Sequence, residues 1–271
     1  MKIQVISIFP EMFPPVLETS MLWKAKDRRI VEYSYINLRD YGLGKRKTVD
    51  DTPYGGGDGM LLKPEPLVAA IEAAKANDPE ALVILPTPRG KPYKQSDAKK
   101  LATQSRGLIL VCAHYEGYDE RITKWVDEQY CIGNYVVTGG ELPAMIIIDS
   151  VVRLLPGVLG GESSAEIESF QQDDKTVEFP QYTRPEEFRG IKVPDVLLSG
   201  HHGEIEKWRQ AQKGNILDLP KAPPSPDQLI SADSSLLSLD VAKATSLSVK
   251  PLSTRADLPW ERAILGKASK Q

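Results

Sequence analysis

Apolar and polar positions over the first 155 residues alternate between two periods. Lys2–Phe9, with Ile3, Val5, Ile6, Ile8 and Phe9 apolar and Pro10 stopping it, predicts a core strand rather than a signal peptide. Val31–Asn37, Ala81–Leu85, Leu108–Cys112 and Tyr130–Val137 predict further short strands. Between them the period lengthens. Leu67, Ala70, Ile71 and Ala74 recur at helical spacing behind Pro66, which predicts a helix through Asn77. A Pro-Arg-Gly turn at 88–90 leads to a polar helix near Gln95–Gln104. A further helix is predicted over Asp119–Glu128, with Asp119 as its cap, and a mostly apolar one over Leu142–Leu155. Apolar strands interleaved with helices predict an α/β fold with a parallel sheet covered on both faces.

This periodicity fades at Leu159-Gly160-Gly161, which divides the chain into three parts. Residues 1–160 read as the α/β domain. Residues 161–179 are acidic, contain Ser and Gln, and read as a flexible linker. Residues 180–271 read as a smaller, mainly helical region, with Tyr182-Thr183-Arg184-Pro185 and a helix after Gly203 carrying Ile205, Trp208 and Arg209. From Gly214 onward Pro, Ser, Ala and Leu predominate, which predicts a loosely ordered tail.

Composition narrows the function classes. A net charge of −3 over 271 residues argues against a wholesale polyanion binder, so any nucleic-acid contact must be local. Two basic clusters, Lys24-Lys26-Arg28-Arg29 and Lys45-Arg46-Lys47, read on their own as solvated faces. Cys112 and Cys131 lack metal or redox spacing, and no secretory or membrane-spanning run is present, so a cytoplasmic protein is expected. The dinucleotide fingerprint, the Walker A loop and the nucleophile elbow are all missing. His114, His201 and His202 have no carboxylate or cysteine partners at zinc spacing.

Three polar, glycine-containing loops remain as the chemistry-bearing features. In Thr48–Met60, four glycines occupy the five positions 55–59, a density that lets a backbone or a nucleotide approach closely. Ala113–Arg121 follows a predicted strand and offers Tyr115 to flank a base and Glu116 to hold a ribose or an amine. Ile132–Met145 runs through Gly139-Gly140 into the apolar helix. A glycine pair there is expected where φ is positive or where something lies close against the backbone, at a strand end where ligands bind. Arg153 stands four residues after Asp149, so it is either half of a weak surface ion pair or a cation aimed at a developing anion.

Taken in order, VISIFPEMF, TVDDTPYGGGDGM, HYEGYDER, IGNYVVTGGELPAM, PGVLGG, YTRP and SGHH resemble the bacterial tRNA (guanine-N1)-methyltransferase family of the SPOUT class, from Met1 to about Arg209. The resemblance implies methyl transfer from S-adenosyl-L-methionine to the guanosine immediately 3′ of the anticodon. It also implies a homodimer and a deep trefoil knot that forms the cofactor pocket, and a magnesium ion is associated with family activity. Carried onto this chain, it assigns cofactor contacts to Thr87, Pro88, Ala113, Tyr115, Glu116, Gly117, Ile132, Gly133, Asn134, Tyr135, Val136, Val137, Gly139, Gly140, Leu142 and Pro143. It assigns tRNA contacts to Asp50, Gly55, Gly56, Gly57, Gly59 and Arg184, and it makes Arg153 the cation near the guanine carbonyl oxygen. Glu168, in the linker, stands where the family usually has the aspartate that acts as base. Ala113 replaces the usual glycine, and the tail lacks the family's Arg-rich helical ending. Two alternatives stand beside this reading. One is a SPOUT methyltransferase with a different RNA target; the other is a catalytically impaired or non-catalytic cofactor- or RNA-binding protein.

Overall fold

The structure is a computed structural model and describes residues 1–159, 168–171 and 173–215; all of them belong to one compact unit, Met1–Leu219. Its centre is a parallel sheet of five strands. The strands are β1 (Lys2–Ser7), β2 (Glu32–Asn37), β5 (Leu82–Pro92), β6 (Leu108–Val111) and β7 (Glu128–Cys131), in the order β2-β1-β6-β5-β7. A separate two-stranded ladder, β3 (Asp50–Asp51) with β4 (Leu61–Leu62), closes the base of the glycine-rich loop.

Helices cover both faces, as the strand composition requires. Leu108 and Leu110 of β6 point into one apolar layer with Ala98, Leu101, Ile147 and Ile148. Ile109 and Val111, on the opposite side of the same strand, join Leu67, Ala70, Ile71 and Ile122. The two-residue period of a strand thus feeds two cores at once, which explains why β6 reads as a continuous apolar run. The first layer is formed by α2 (Ser20–Asp27), α4 (Gln95–Thr103) and α5 (Glu141–Val152) after the short α1 (Pro14–Leu17); the second is formed chiefly by α3 (Pro64–Asn77).

Three expected elements differ. The turn expected at 88–90 is extended strand: β5 continues to Pro92, with a register shift against β7 between Pro86 and Lys91. Pairing with β6 ends at Ile84↔Leu110, so Pro86 and Pro88 lie where no β6 partner needs their missing N–H. The helix expected over Asp119–Glu128 is a shorter 3-10 helix, Glu120–Trp125, and Glu128 instead begins β7. Asp119 does cap it, accepting from Arg121 N at 2.9 Å while also gripping the Arg121 guanidinium. The strand expected over Tyr130–Val137 stops at Cys131, because edge strand β7 has only β5 to pair with and β5 ends at Pro92.

Beyond the α/β layers, helix His202–Gln212 matches the one expected after Gly203. The described part of 180–215 also contains the short helix Asp195–Leu198 and the hairpin Glu187–Phe188 with Ile191–Lys192. Residues 161–167 and 172 of the expected linker and the tail from 216 lie outside the described residues.

Candidate functional site: a pocket at the strand ends and an ion pair beyond it

Strands β6, β5 and β7 are neighbours, and their C-terminal ends open together. Parallel strands deliver their following loops to the same edge, where α/β proteins bind ligands. Here Pro86–Pro88, Ala113–Glu116 and Ile132–Gly140 surround a cavity of about 230 Å³. Small-molecule pockets typically run from about 300 Å³ upward, so this one suits a compact or partly exposed ligand.

Backbone contacts hold the walls. Gly140 N donates to Ala113 O at 2.7 Å, and His114 bridges both Gly117 and Gly139. Neither Gly139 nor Gly140 has a positive φ, so the pair serves close approach. A Cβ on Gly140 would lie 2.8 Å from Ala113 N and Cys112 Cα, and one on Gly139 would lie 2.6 Å from His114 Nδ1. These glycines therefore admit the chain's own neighbouring groups, the β6 loop and the Glu141 side chain, while both also line the cavity. Tyr115 sits at φ +59, a left-handed conformation that an L-residue adopts at a cost and that here turns its ring toward solvent at the pocket rim. Tyr118 donates its hydroxyl to Thr87 Oγ1 at 3.2 Å, tying the second loop to the first wall.

Behind the pocket lies a buried polar chain. Glu141, 2% exposed at the first turn of α5, accepts from Ser7 Oγ at 2.6 Å and has His114 Nδ1 3.7 Å away. A carboxylate at a helix N-terminus is favoured by the helix dipole, and this one ties β1, α5 and the Ala113–Gly117 loop together.

Of the residues expected at the cofactor, Gly117, Asn134 and Leu142 do not line the cavity; the other thirteen do. Gly117 instead donates to His114 O and accepts from Leu62 N, closing the turn, while Asn134 and Leu142 are exposed to solvent. Six lining residues were not individually assigned to the cofactor: His114 and Thr138, which fall inside the loops that were, and Pro86, Tyr118, Tyr130 and Cys131, which do not. His114 lay between two anticipated residues, so its loop was the available signal; Tyr130 and Cys131 read as ordinary strand.

The glycine-rich loop is joined to the pocket. Glu116 N donates to Met60 O at 3.0 Å, Leu62 N donates to Gly117 O at 3.0 Å, and a Cβ on Gly59 would strike the Glu116 side chain. Gly55, Gly56 and Gly57 have φ of +88°, +78° and +123°, values that any side chain would oppose, and Tyr54 beside them is fully exposed. Asp50 anchors the loop's base in β3, whereas Arg184 is exposed on the later segment.

Arg153 and Glu168 form an ion pair at 2.6 Å, so Arg153 takes the linker carboxylate in preference to Asp149. The Arg153 guanidinium hydrogen-bonded to it holds the Glu168 carboxyl below the usual carboxylate range, against a smaller opposing push from burial. The same bond raises the arginine. The pair does not line the cavity. Pro143 lies at the pocket end of α5 and Arg153 caps its other end, ten residues or about 15 Å along the axis. Among the described residues no cluster of three or more His, Cys, Asp or Glu could hold a metal. No helix among them is long and apolar enough to cross a membrane.

The five-stranded parallel sheet, with its glycine-walled pocket at three adjacent strand ends, matches a solved methyltransferase of the SPOUT class. The structure resembles that of the tRNA (m1G37) methyltransferase from Aquifex aeolicus, with a TM-score of 0.64 and 36% identity, over 77% of this chain and 87% of that one. Residues 1–217 match the family described as tRNA (Guanine-1)-methyltransferase TrmD, and the chain belongs to that family. It is 54% identical over 210 residues to the tRNA (guanine-N(1)-)-methyltransferase of Brevibacillus brevis, covering 77% of this chain and 85% of the relative. To that of Halalkalibacterium halodurans it is 53% identical over 214 residues, covering 78% and 86%.

Proposed function

We propose that this protein methylates tRNA at N1 of the guanosine immediately 3′ of the anticodon, using S-adenosyl-L-methionine, as a cytoplasmic homodimer whose pocket is threaded as a deep trefoil knot. The observation that carries the guanine assignment is the Arg153–Glu168 pair: a donor and an acceptor side by side. Guanine offers the complement on adjacent ring atoms, a carbonyl oxygen that accepts and an N1–H that donates, whereas adenine offers the reverse.

The cofactor's fit rests on the cavity's character: backbone-rich walls, Thr87 and Glu116 as polar groups, and the exposed Tyr115 ring to cover an adenine. When bound, it supplies an activated methyl group on a sulfonium. Guanine N1 is a poor nucleophile until its proton leaves. As guanine enters, the Arg153 guanidinium passes to the carbonyl oxygen and stabilises the negative charge that develops there. Glu168, released from the arginine that depresses its pKa, becomes more basic and accepts the N1 proton. With its proton on Glu168, N1 would have a free lone pair for the methyl carbon that the cofactor, held by the Ala113–Glu116 and Ile132–Gly140 loops, would supply, the thioether being the leaving group.

The separation of the ion pair from the pocket is what supports the homodimer. Leu142, Ile146, Asp149 and Arg153 follow one another at spacings of four, three and four, so they share a face of α5, and Leu142 and Ile146 are 51% and 45% exposed. If two such faces pack antiparallel about a twofold axis, the Arg153 end of one helix meets the pocket end of the other. Each protomer's arginine and glutamate then serve its partner's pocket.

Two experiments test this. Methyl transfer from labelled cofactor is expected only to tRNA transcripts carrying guanosine 3′ of the anticodon; equal labelling without it would assign another target. Mixing subunits of Glu168→Gln with Gly140→Val, each inactive alone, is expected to restore a measurable fraction of wild-type activity. Mixed dimers that form and stay inactive would show that each pocket uses its own ion pair.

A further inference from the structure

We propose that Asp174 is a positioning residue that keeps Glu168 in place when Arg153 leaves it for the substrate. This rests on Glu168 being the base. The Asp174 carboxylate accepts from Ser96 N at 3.2 Å and from Ser96 Oγ at 3.0 Å, and Lys94 Nζ lies 3.6 Å away. Ser96 is the second residue of α4, so Asp174 satisfies one of the backbone donors that a helix start leaves open, from 78 residues along the chain. Lys99 of the same helix donates to Gln171 O at 2.5 Å. Two attachments therefore fasten the linker's far end to α4, which packs against α5.

The described residues on either side of Asp174 are bonded back to those beside Glu168. Phe170 N donates to Thr176 O at 2.7 Å, Glu178 N donates to Ser169 Oγ at 3.0 Å, and Asp173 accepts from the backbone of Lys175 and Thr176. A movement of Asp174 is thus passed to Glu168 through the Phe170–Thr176 and Ser169–Glu178 bonds. While Arg153 holds Glu168 at 2.6 Å, the linker has an anchor on α5 as well as those on α4. Once the guanidinium turns to the guanine oxygen, the α5 anchor is gone. The Asp174 and Lys99 bonds then set where the carboxylate stands, at the moment it must meet the N1 proton. A misplacement of about 1 Å at that point lowers the rate on the order of 100-fold.

The test uses the full-length enzyme. Asp174→Ala, Asp174→Asn and Ser96→Ala are compared in single-turnover methyl transfer to a guanosine-containing transcript, with cofactor affinity measured by calorimetry. Asp174→Ala is expected to lower kcat by about 10- to 100-fold, with KM for tRNA and Kd for cofactor within a fewfold. Asp174→Asn keeps an acceptor for Ser96 and is expected to recover most of the loss, while Ser96→Ala shifts kcat in the same direction as Asp174→Ala. In a Glu168→Gln background, Asp174→Ala is expected to lower the residual rate less than twofold, because a residue acting through the base has nothing left to position. An unchanged kcat in Asp174→Ala beside an inactive Glu168→Gln would overturn this proposal and leave the base assignment standing. So would an equal loss in both backgrounds, or a cofactor Kd that weakens in step with kcat. A fully active Glu168→Gln would overturn the base assignment and this proposal with it.

Discussion

Glu168→Gln is expected to lower methyl transfer to tRNA by about 10²- to 10⁴-fold, the range a positioned general base contributes. Glutamine keeps the length of the side chain and one acceptor for Arg153, so the ion-pair site should keep its shape while losing the group that takes the N1 proton. The side chain does not line the cavity proposed to hold the cofactor, and cofactor affinity should accordingly stay within a fewfold of wild type. Single-turnover rates beside calorimetric titration make the comparison; a fully active variant rules Glu168 out as the base. Glu168→Asp retains a carboxylate but draws it back by one methylene, about 1 Å, and should fall between the two.

Arg153→Ala is expected to be the next most damaging change, about 10²- to 10³-fold in kcat, the loss typical when one preorganised donor to a developing oxyanion is removed. It has a second signature that a general loss of structure would not produce. In the wild-type free enzyme, the Arg153 hydrogen bond holds the Glu168 carboxyl below its ordinary range. The acid limb of kcat/KM follows the protonation of the free enzyme's base, so it should lie below the ordinary carboxylate range. A lowered pKa means that the ionised form persists as pH falls; removing the cation raises the pKa, and the limb must move to higher pH. A pH–rate profile of the variant's residual activity measures this shift. An unmoved limb would separate Glu168 from the titrating base.

How far the sequence alone foretold the site depends on the kind of contact involved. Pocket residues in contiguous loops were legible because a strand end and a glycine cluster are local features: Thr87 and Pro88, Ala113 to Glu116, and Ile132 to Gly140 with the exception of Asn134. Tyr130 and Cys131 were not, since a residue in a strand looks the same whether its side chain meets a core or a cavity. The Gly139-Gly140 pair was noticed for the right general reason, close approach, but the neighbour it admits is the Cys112–Ala113 backbone, which sequence spacing cannot reveal. Arg153 was left between Asp149 and a substrate, and the structure supplied a third partner, Glu168.

What the chain by itself determined is the set of elements written in short periods: a parallel sheet with two covered faces, from apolar runs such as Leu108–Val111, and the glycine loops at its strand ends. Both depend on interactions within a few residues, where periodicity and backbone freedom are direct properties of the sequence. Only the tertiary structure decided the order β2-β1-β6-β5-β7, the extension of β5 past Pro86 and Pro88 to Pro92, and the 3-10 geometry after Asp119. The same holds for the Ser7–Glu141 bond across 134 residues and the Ser96–Asp174 bond across 78. Each of these depends on which surfaces meet once the sheet has formed, and a local pattern carries no record of a neighbour that distant along the chain.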